Sequence, residues 1–349
     1  MQKIESNAIN IARFILIIGV VFIHLPLRFT NVSSHIETPV YNIISSRFFL
    51  MDVSLPGLFL ISGYLFFYKI NIETQYSMKE YFGKIKSRIT SIVVPYLFWN
   101  CFWLIYTIVK NYYLSSNNLD CSINIDSFET ALKSFWAVGQ GEFPNAPIAT
   151  YTWFLRDLLI CAVLSPFYYY IFMTKDFGRV MFVLSAVLLG FPDFDIPLII
   201  PSFYIGGYIA FHRHNIMNIC NCINWLTSIA GLIVLHIGYY IYFNNPILRI
   251  VLLIFGFIFV FKIALYMNTN KIFNEISKAS TYLYLTHIFV INMGMHLLFS
   301  LLRPNTDMGY VSCYLLNLFI CITICIFSFY FLKKIRANSL LKIITGGRF

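Results

Sequence analysis

Long apolar runs alternate along the chain with short polar ones. Runs of roughly 20 apolar residues, the length that crosses a bilayer as a helix, stand at Ile9–Leu27, Phe48–Lys69, Ile89–Val109, Thr152–Met173, Trp225–Phe243, Ile247–Met267, Tyr282–Leu302 and Ser312–Leu332. Two shorter ones, Val180–Phe191 and a segment from Pro197 to about Phe211, flank Pro192-Asp193-Phe194-Asp195 and predict a tight or partly broken hairpin. The longest polar connection, Lys110 to about Tyr151, carries Asp120, Asp126, Glu129 and Glu142. The fold class this predicts is all-α: a polytopic membrane helical bundle of about ten transmembrane helices. A single domain is expected over 1–349, because the basic tail after the last run is too short to make another.

Composition supports the membrane reading. Hydrophobic residues are 59% and charged residues 11% of 349, against about a quarter charged in soluble domains. The 24 Tyr and 36 Phe suit aromatic belts at both interfaces. A net charge of +10 would otherwise raise nucleic acid as a partner; here it follows from where the cations lie. Connections on the side of the two termini hold sixteen Lys/Arg and the opposite ones six, namely Arg28, Arg47, Lys110, Lys133, Arg249 and Arg303. That asymmetry places both termini in the cytoplasm. The first run is no cleaved signal, since it contains an Arg and no small-residue cleavage site follows. Most of the eight Cys sit inside apolar runs, as small hydrophobes rather than disulfide partners.

Against this apolar background a few ionisable residues stand out. Arg13 and His24 share the first run; a charge at bilayer depth costs roughly 3 kcal/mol, so such residues face protein or a watery cavity. Eleven residues is close to three turns, which puts both on one face, about 16 Å apart along the axis. With the N-terminus inside, Arg13 lies toward the cytoplasm and His24 toward the outer leaflet. Asp52, at the start of the second run, falls near the depth of His24. A carboxylate that orients an imidazole makes it a general base, although Asp52 also suits a helix-end partner for Arg47. Lys84, Lys86 and Arg88 form a cationic cluster suited to a phosphate-bearing cytoplasmic ligand such as a nucleotide or coenzyme A, or to ordinary membrane anchoring. His287, early in its helix and hence expected near the cytoplasmic end, lines the same cavity or bonds within the bundle. Arg156-Asp157 reads as a local pair, a cap or a site for a polar acceptor. His212-x-His214 with Cys220-x-Cys222 lacks the two-residue Cys spacing of zinc sites, Ser62-Gly63 lacks the frame of a nucleophile elbow, and no metal or tightly bound cofactor is expected.

Taken in order, these residues resemble the membrane acyltransferase-3 family, bacterial integral-membrane O-acyltransferases that modify surface and secreted glycans. Arg13 and His24 stand at the family's first-helix spacing. PGLFLISGYLFF is similar to its second helix, RITSIVVPYLFW to the start of its third, TWFLRDLLI to its fourth, and PSFYIGGYIAF and STYLYLTHIFVI to later ones. The resemblance runs from about Ile4 to Leu332. It implies a multi-pass protein of the bacterial inner membrane that uses acyl-CoA, acetyl-CoA by default, as co-substrate, and a glycan or lipid-linked sugar as acceptor. Arg13 and Arg88 would then hold the donor and His24 would act as base or relay. Members commonly carry two Arg three apart at the start of the third helix; here Arg88 fits the first and Ser91 the second. The rival class is a multi-pass transporter of a small solute such as an amino acid, for which an inverted repeat is the expected mark; none is visible.

Overall fold

In the computed structural model, which describes residues 3–25, 49–70, 76–116, 123–140, 143–191, 199–242, 245–304 and 306–348, every regular element among the described residues is helical. Arg28 and Arg47, the 192–195 turn, Asp120 and Glu142 lie outside the described residues. The chain opens with α1 (Lys3–His24) and α2 (Phe49–Phe67). α3 (Met78–Arg88), a π-helical turn (Ile89–Val93) and α4 (Val94–Ser116) follow as one continuous stretch. Next come α5 (Phe128–Ser134), α6 (Trp153–Val163), α7 (Ser165–Met173), α8 (Lys175–Leu188), α9 (Ile199–Phe211) and α10 (Ile216–Asn221). α11 (Trp225–Ile241), α12 (Pro246–Met267), α13 (Lys271–Ile276), α14 (Ser280–Leu302), α15 (Asp307–Lys334) and α16 (Asn338–Thr345) complete the chain.

Each of the ten expected runs contains helix, but their lengths differ. Among the described residues, six stretches are long and apolar enough to span a membrane, or seven if the helices on either side of Leu164 count as one broken span. α8, α9 and α11, with 14, 13 and 17 residues, are shorter than a span. The fourth run, expected as one helix, breaks at Leu164 because Pro166 has no N–H to continue the ladder and its ring opposes the carbonyl four residues back. The polar connection between Lys110 and Tyr151 contains α5, opened by a reciprocal Ser127–Thr130 cap.

The chain forms two compact units, residues 1–76 with 165–331 and residues 77–164 with 332–349. In the first, α1 packs on α2, α12 and α14, and α2 packs on α9. Contact between α2 and α9 is backbone to backbone: a Cβ on Gly63 would run into the Phe203 carbonyl, and one on Gly206 into the Leu60 carbonyl. Small residues let membrane helices approach this closely, which is how such helices gain packing energy without a hydrophobic drive. The PGLFLISGYLFF and PSFYIGGYIAF segments are therefore two faces of one helix contact.

The register of α1 against its neighbours follows from four contacts. Glu5 Oε1 and Oε2 accept from Tyr64 and Tyr68 at 2.9 and 3.2 Å, and a Cβ at Gly19 would meet Leu50 and Ser54, so α2 runs antiparallel to α1. Asn268 Nδ2 donates to the Ile4 carbonyl at 3.1 Å, which brings the end of α12 to the start of α1. A Cβ at Gly57 would lie within 3.5 Å of both Leu16 and Phe257, so these three residues share one level. Asn245 caps α12 by accepting from Ile247 N and Leu248 N, with Pro246 in the first turn.

In the second unit α3 begins at a Ser77–Glu80 capping box and carries its basic residues toward the π turn. The π turn has a local cause. Pro95 cannot donate to the Ser91 carbonyl and its ring would crowd it, so the ladder widens and Val94 N bonds the Ile89 carbonyl, five residues back. Buried Asn100 ties α4 to the start of α6: its Nδ2 donates to Thr152 Oγ1 at 3.0 Å and its Oδ1 accepts from Ala149 N at 3.2 Å. The tail returns to the same place. Trp99 Nε1 donates to the Ile344 carbonyl at 3.2 Å, and Gly346, at φ +66°, lies against the Ser91 backbone where no Cβ fits.

Candidate active site

His24 ends α1, half-buried, and its last turn is held in place: Tyr314 Oη of α15 donates to the Phe22 carbonyl at 3.3 Å. The ring centroid of His24 lies 5.0 Å from that of His287, the planes tilted by 46°. His287 is 0% exposed, and its Nδ1 stands 2.6 Å from the Tyr284 carbonyl. A carbonyl only accepts, so Nδ1 carries the proton and Nε2 is the basic nitrogen of the neutral ring. Cys321 Sγ on α15 approaches the His287 carbonyl at 3.8 Å, a weak contact within the same core.

The expected depth of His287 changes. The sequence predicts a place near the cytoplasmic end with Arg13, whereas contact with His24 puts the two imidazoles at one level. The reason is length: α13, a 3-10 turn at Ser277–Ala279 and α14 form one 32-residue stretch, Lys271–Leu302, and His287 is at its middle rather than its start. Arg13 lies eleven residues before His24 on the same half-buried face of α1, roughly 16 Å away along the axis.

Asp52 is half-buried on α2, and the charged group that acts on it is Arg249 of α12. Arg249, counted from sequence among the outer-loop cations, is instead inside a spanning helix and only 7% exposed. The signal was present: Asn245-Pro246 is a cap with Pro in the first turn, which starts the helix ahead of Arg249 rather than after it.

The remaining candidates belong to the second unit. Arg88 and Lys84 are half-buried and Lys86 is exposed, at the basic end of α3. Arg348 Nη2 donates to Ser91 Oγ at 3.2 Å, so a guanidinium from the tail stands at the position where the resemblance calls for a second Arg. Nothing in the sequence announces it, because the two residues are 257 apart. Arg156 and Asp157 are joined at 2.8 Å. Arg156 Nη1 also donates to the Trp136 and Asn145 carbonyls at 2.6 and 3.0 Å, and the guanidinium lies 5.1 Å over the Trp136 ring. These contacts brace the connection after α5 against α6. Among the described residues no group of three His, Cys, Asp or Glu could hold a metal ion.

A model of the acyltransferase-3 family, described as an acyltransferase domain, matches residues 6–332. The chain therefore belongs to this family of membrane acyltransferases. It is also similar to the succinoglycan biosynthesis protein ExoH of Rhizobium meliloti (strain 1021), at 24% identity over 231 residues. That match covers 62% of this chain and spans 57% of the length of the curated relative. No solved structure matches.

Proposed function

We propose that the protein is an O-acyltransferase of the bacterial inner membrane that moves an acyl group, acetyl by default, from cytoplasmic acyl-CoA to a hydroxyl of an exported or lipid-linked glycan. One observation carries the reading: in a chain of the acyltransferase-3 family, the first-helix imidazole stands 5.0 Å from a second, fully buried one. The relative's role in succinoglycan biosynthesis supports a glycan as the acceptor. His24 removes the proton of the acceptor hydroxyl as it attacks the thioester, and His287, fixed by Tyr284, positions that ring. Asp52 lends negative charge to the site as the imidazolium forms. Lys84, Lys86, Arg88 and Arg348 of the second unit supply cations for the donor's phosphates; guanidinium groups suit phosphate by geometry as well as charge.

The test is His24→Ala in the producing bacterium, with the surface glycan analysed by mass spectrometry. O-acylation should disappear while the protein remains at its normal level in the membrane. Unchanged O-acylation would overturn the assignment.

A further inference from the structure

Arg249 has a property the reaction outlined above does not use. It is 7% exposed, inside a membrane-spanning helix, and its Nε is buried without a hydrogen-bond partner among the described residues. Buried guanidinium donors are costly to leave unmade, and such an orphan in a native interior marks strain, a missing ligand or a catalytic role. Asp52 is near enough to interact with it electrostatically, and what is left over is one directed N–H.

The register shows where that N–H stands. Leu16 of α1, Gly57 of α2 and Phe257 of α12 share one level, and α2 and α12 both run antiparallel to α1. From Leu16 to His24 is eight residues upward in chain order, and from Phe257 to Arg249 is eight residues backward, hence the same direction in space. At 1.5 Å per residue each climbs about 12 Å from the shared level. Asp52, five residues from Gly57, climbs about 7.5 Å, one turn short of them. Arg249 is therefore at the height of His24 and His287, on a helix packed directly against α1, with Asp52 just beneath. Arg13, about 16 Å lower, is too far from the imidazoles to serve the same atoms.

We propose that Arg249 is a catalytic residue whose Nε–H binds the carbonyl oxygen of the acyl thioester as it becomes an oxyanion. This rests on the acyl-transfer reading. The acceptor hydroxyl gives its proton to His24, its oxygen bonds to the thioester carbon, and the carbonyl electron pair moves onto the oxygen that Arg249 holds. Collapse restores the carbonyl and breaks the carbon–sulfur bond, and the departing thiolate takes the proton from His24. A fixed donor aimed at developing charge in a water-poor site strengthens in the transition state more than in the ground state, which is what lowers the barrier. Asp52 is then a positioning residue that acts on this guanidinium through its charge, from the neighbouring helix.

The test compares Arg249→Lys with the unaltered full-length protein in membranes of the glycan-producing host, following thiol release from acetyl-CoA. The lysine keeps a cation opposite Asp52 but removes the directed Nε–H. Turnover should fall on the order of 10²–10³-fold, as for loss of one oxyanion donor, while KM for acetyl-CoA moves less than threefold and the melting temperature in detergent is unchanged. Normal turnover, or a raised KM with normal turnover, would overturn the proposal. If Arg249→Lys does not accumulate, the charge-neutral pair Asp52→Asn with Arg249→Gln takes its place, and the same fall in turnover is required. His24→Ala separates the two readings: activity in that variant removes the parent assignment, whereas inactivity there with normal Arg249→Lys turnover removes only this one. Absence of thiol release by the unaltered protein would remove both.

Discussion

The two units differ in how they hold charge. The first buries charge: Glu5 is clasped by two tyrosine hydroxyls, Lys262 lies 5.6 Å over the Trp225 ring, and Asp52 and Arg249 interact electrostatically from neighbouring spanning helices. The second buries one pair, Arg156 with Asp157, and keeps a cluster of cations at the end of an amphipathic helix, where Lys86 is exposed and Lys84, Arg88 and Arg348 are half-buried around the π turn. A buried charge is costly unless each group is held by a partner, so it yields fixed geometry, which is what bond-making needs. Cations near the surface attract a polyanion without fixing it, with a strength that falls with salt. On the acyl-transfer reading proposed above, fixed buried charge suits the chemical step, and the more exposed cations suit a phosphorylated donor.

The widest separation between the two should come from His24→Ala, which removes a general base worth about 10²–10⁴-fold. Transfer, read as O-acylated glycan by mass spectrometry, should drop by that factor with KM for the donor unaltered; a change confined to KM would refute the division of labour. Next is Gly206→Leu, which forces a side chain into the Leu60 carbonyl and parts α2 from α9. Overpacking of this kind costs about 1–3 kcal/mol or more, so the melting temperature in detergent and the membrane yield should both fall. Arg348→Ala should raise KM for acetyl-CoA roughly tenfold, the worth of about one charge-assisted hydrogen bond, with turnover within twofold. That KM should also lose part of its dependence on ionic strength, measured by donor titration at two salt concentrations. Smallest is Lys133→Ala. Lys133 pairs with Glu129 at 2.5 Å on an exposed turn of α5, and exposed pairs of this type contribute little. Melting temperature and turnover should both stay within error.

Periodicity and length made the apolar helices legible, along with the shared face of Arg13 and His24, because these depend on neighbours in sequence. The packing of the α2 and α9 glycine segments on one another was not legible, because the two are far apart in sequence. The spanning count was harder: α8, α9 and α11 have the composition of spans but not the length, and the Pro166 break divides another run. Within the site, His24 was readable from its spacing, whereas its contact with His287 depends on how far the helix before Ser280 extends, which a polar sequence such as Lys271–Ala279 conceals. Arg249 was obscured by its place next to a loop. Arg348 was beyond reach because its partner, Ser91, is brought to it only by the fold.

The π turn at Ile89–Val93 sets a phase. A π turn holds one residue more than the regular helix would, and each residue advances a helix by about 100°. Deleting a single residue from this segment would leave a smoother helix of nearly the same length, yet it would swing Lys84 and Arg88 about a third of a revolution away from the side that carries Trp99 and Asn100. Sequence comparison would score such a deletion as trivial, and so would hydropathy. For this protein it would move the whole basic face out of alignment, so insertions and deletions here matter more than substitutions.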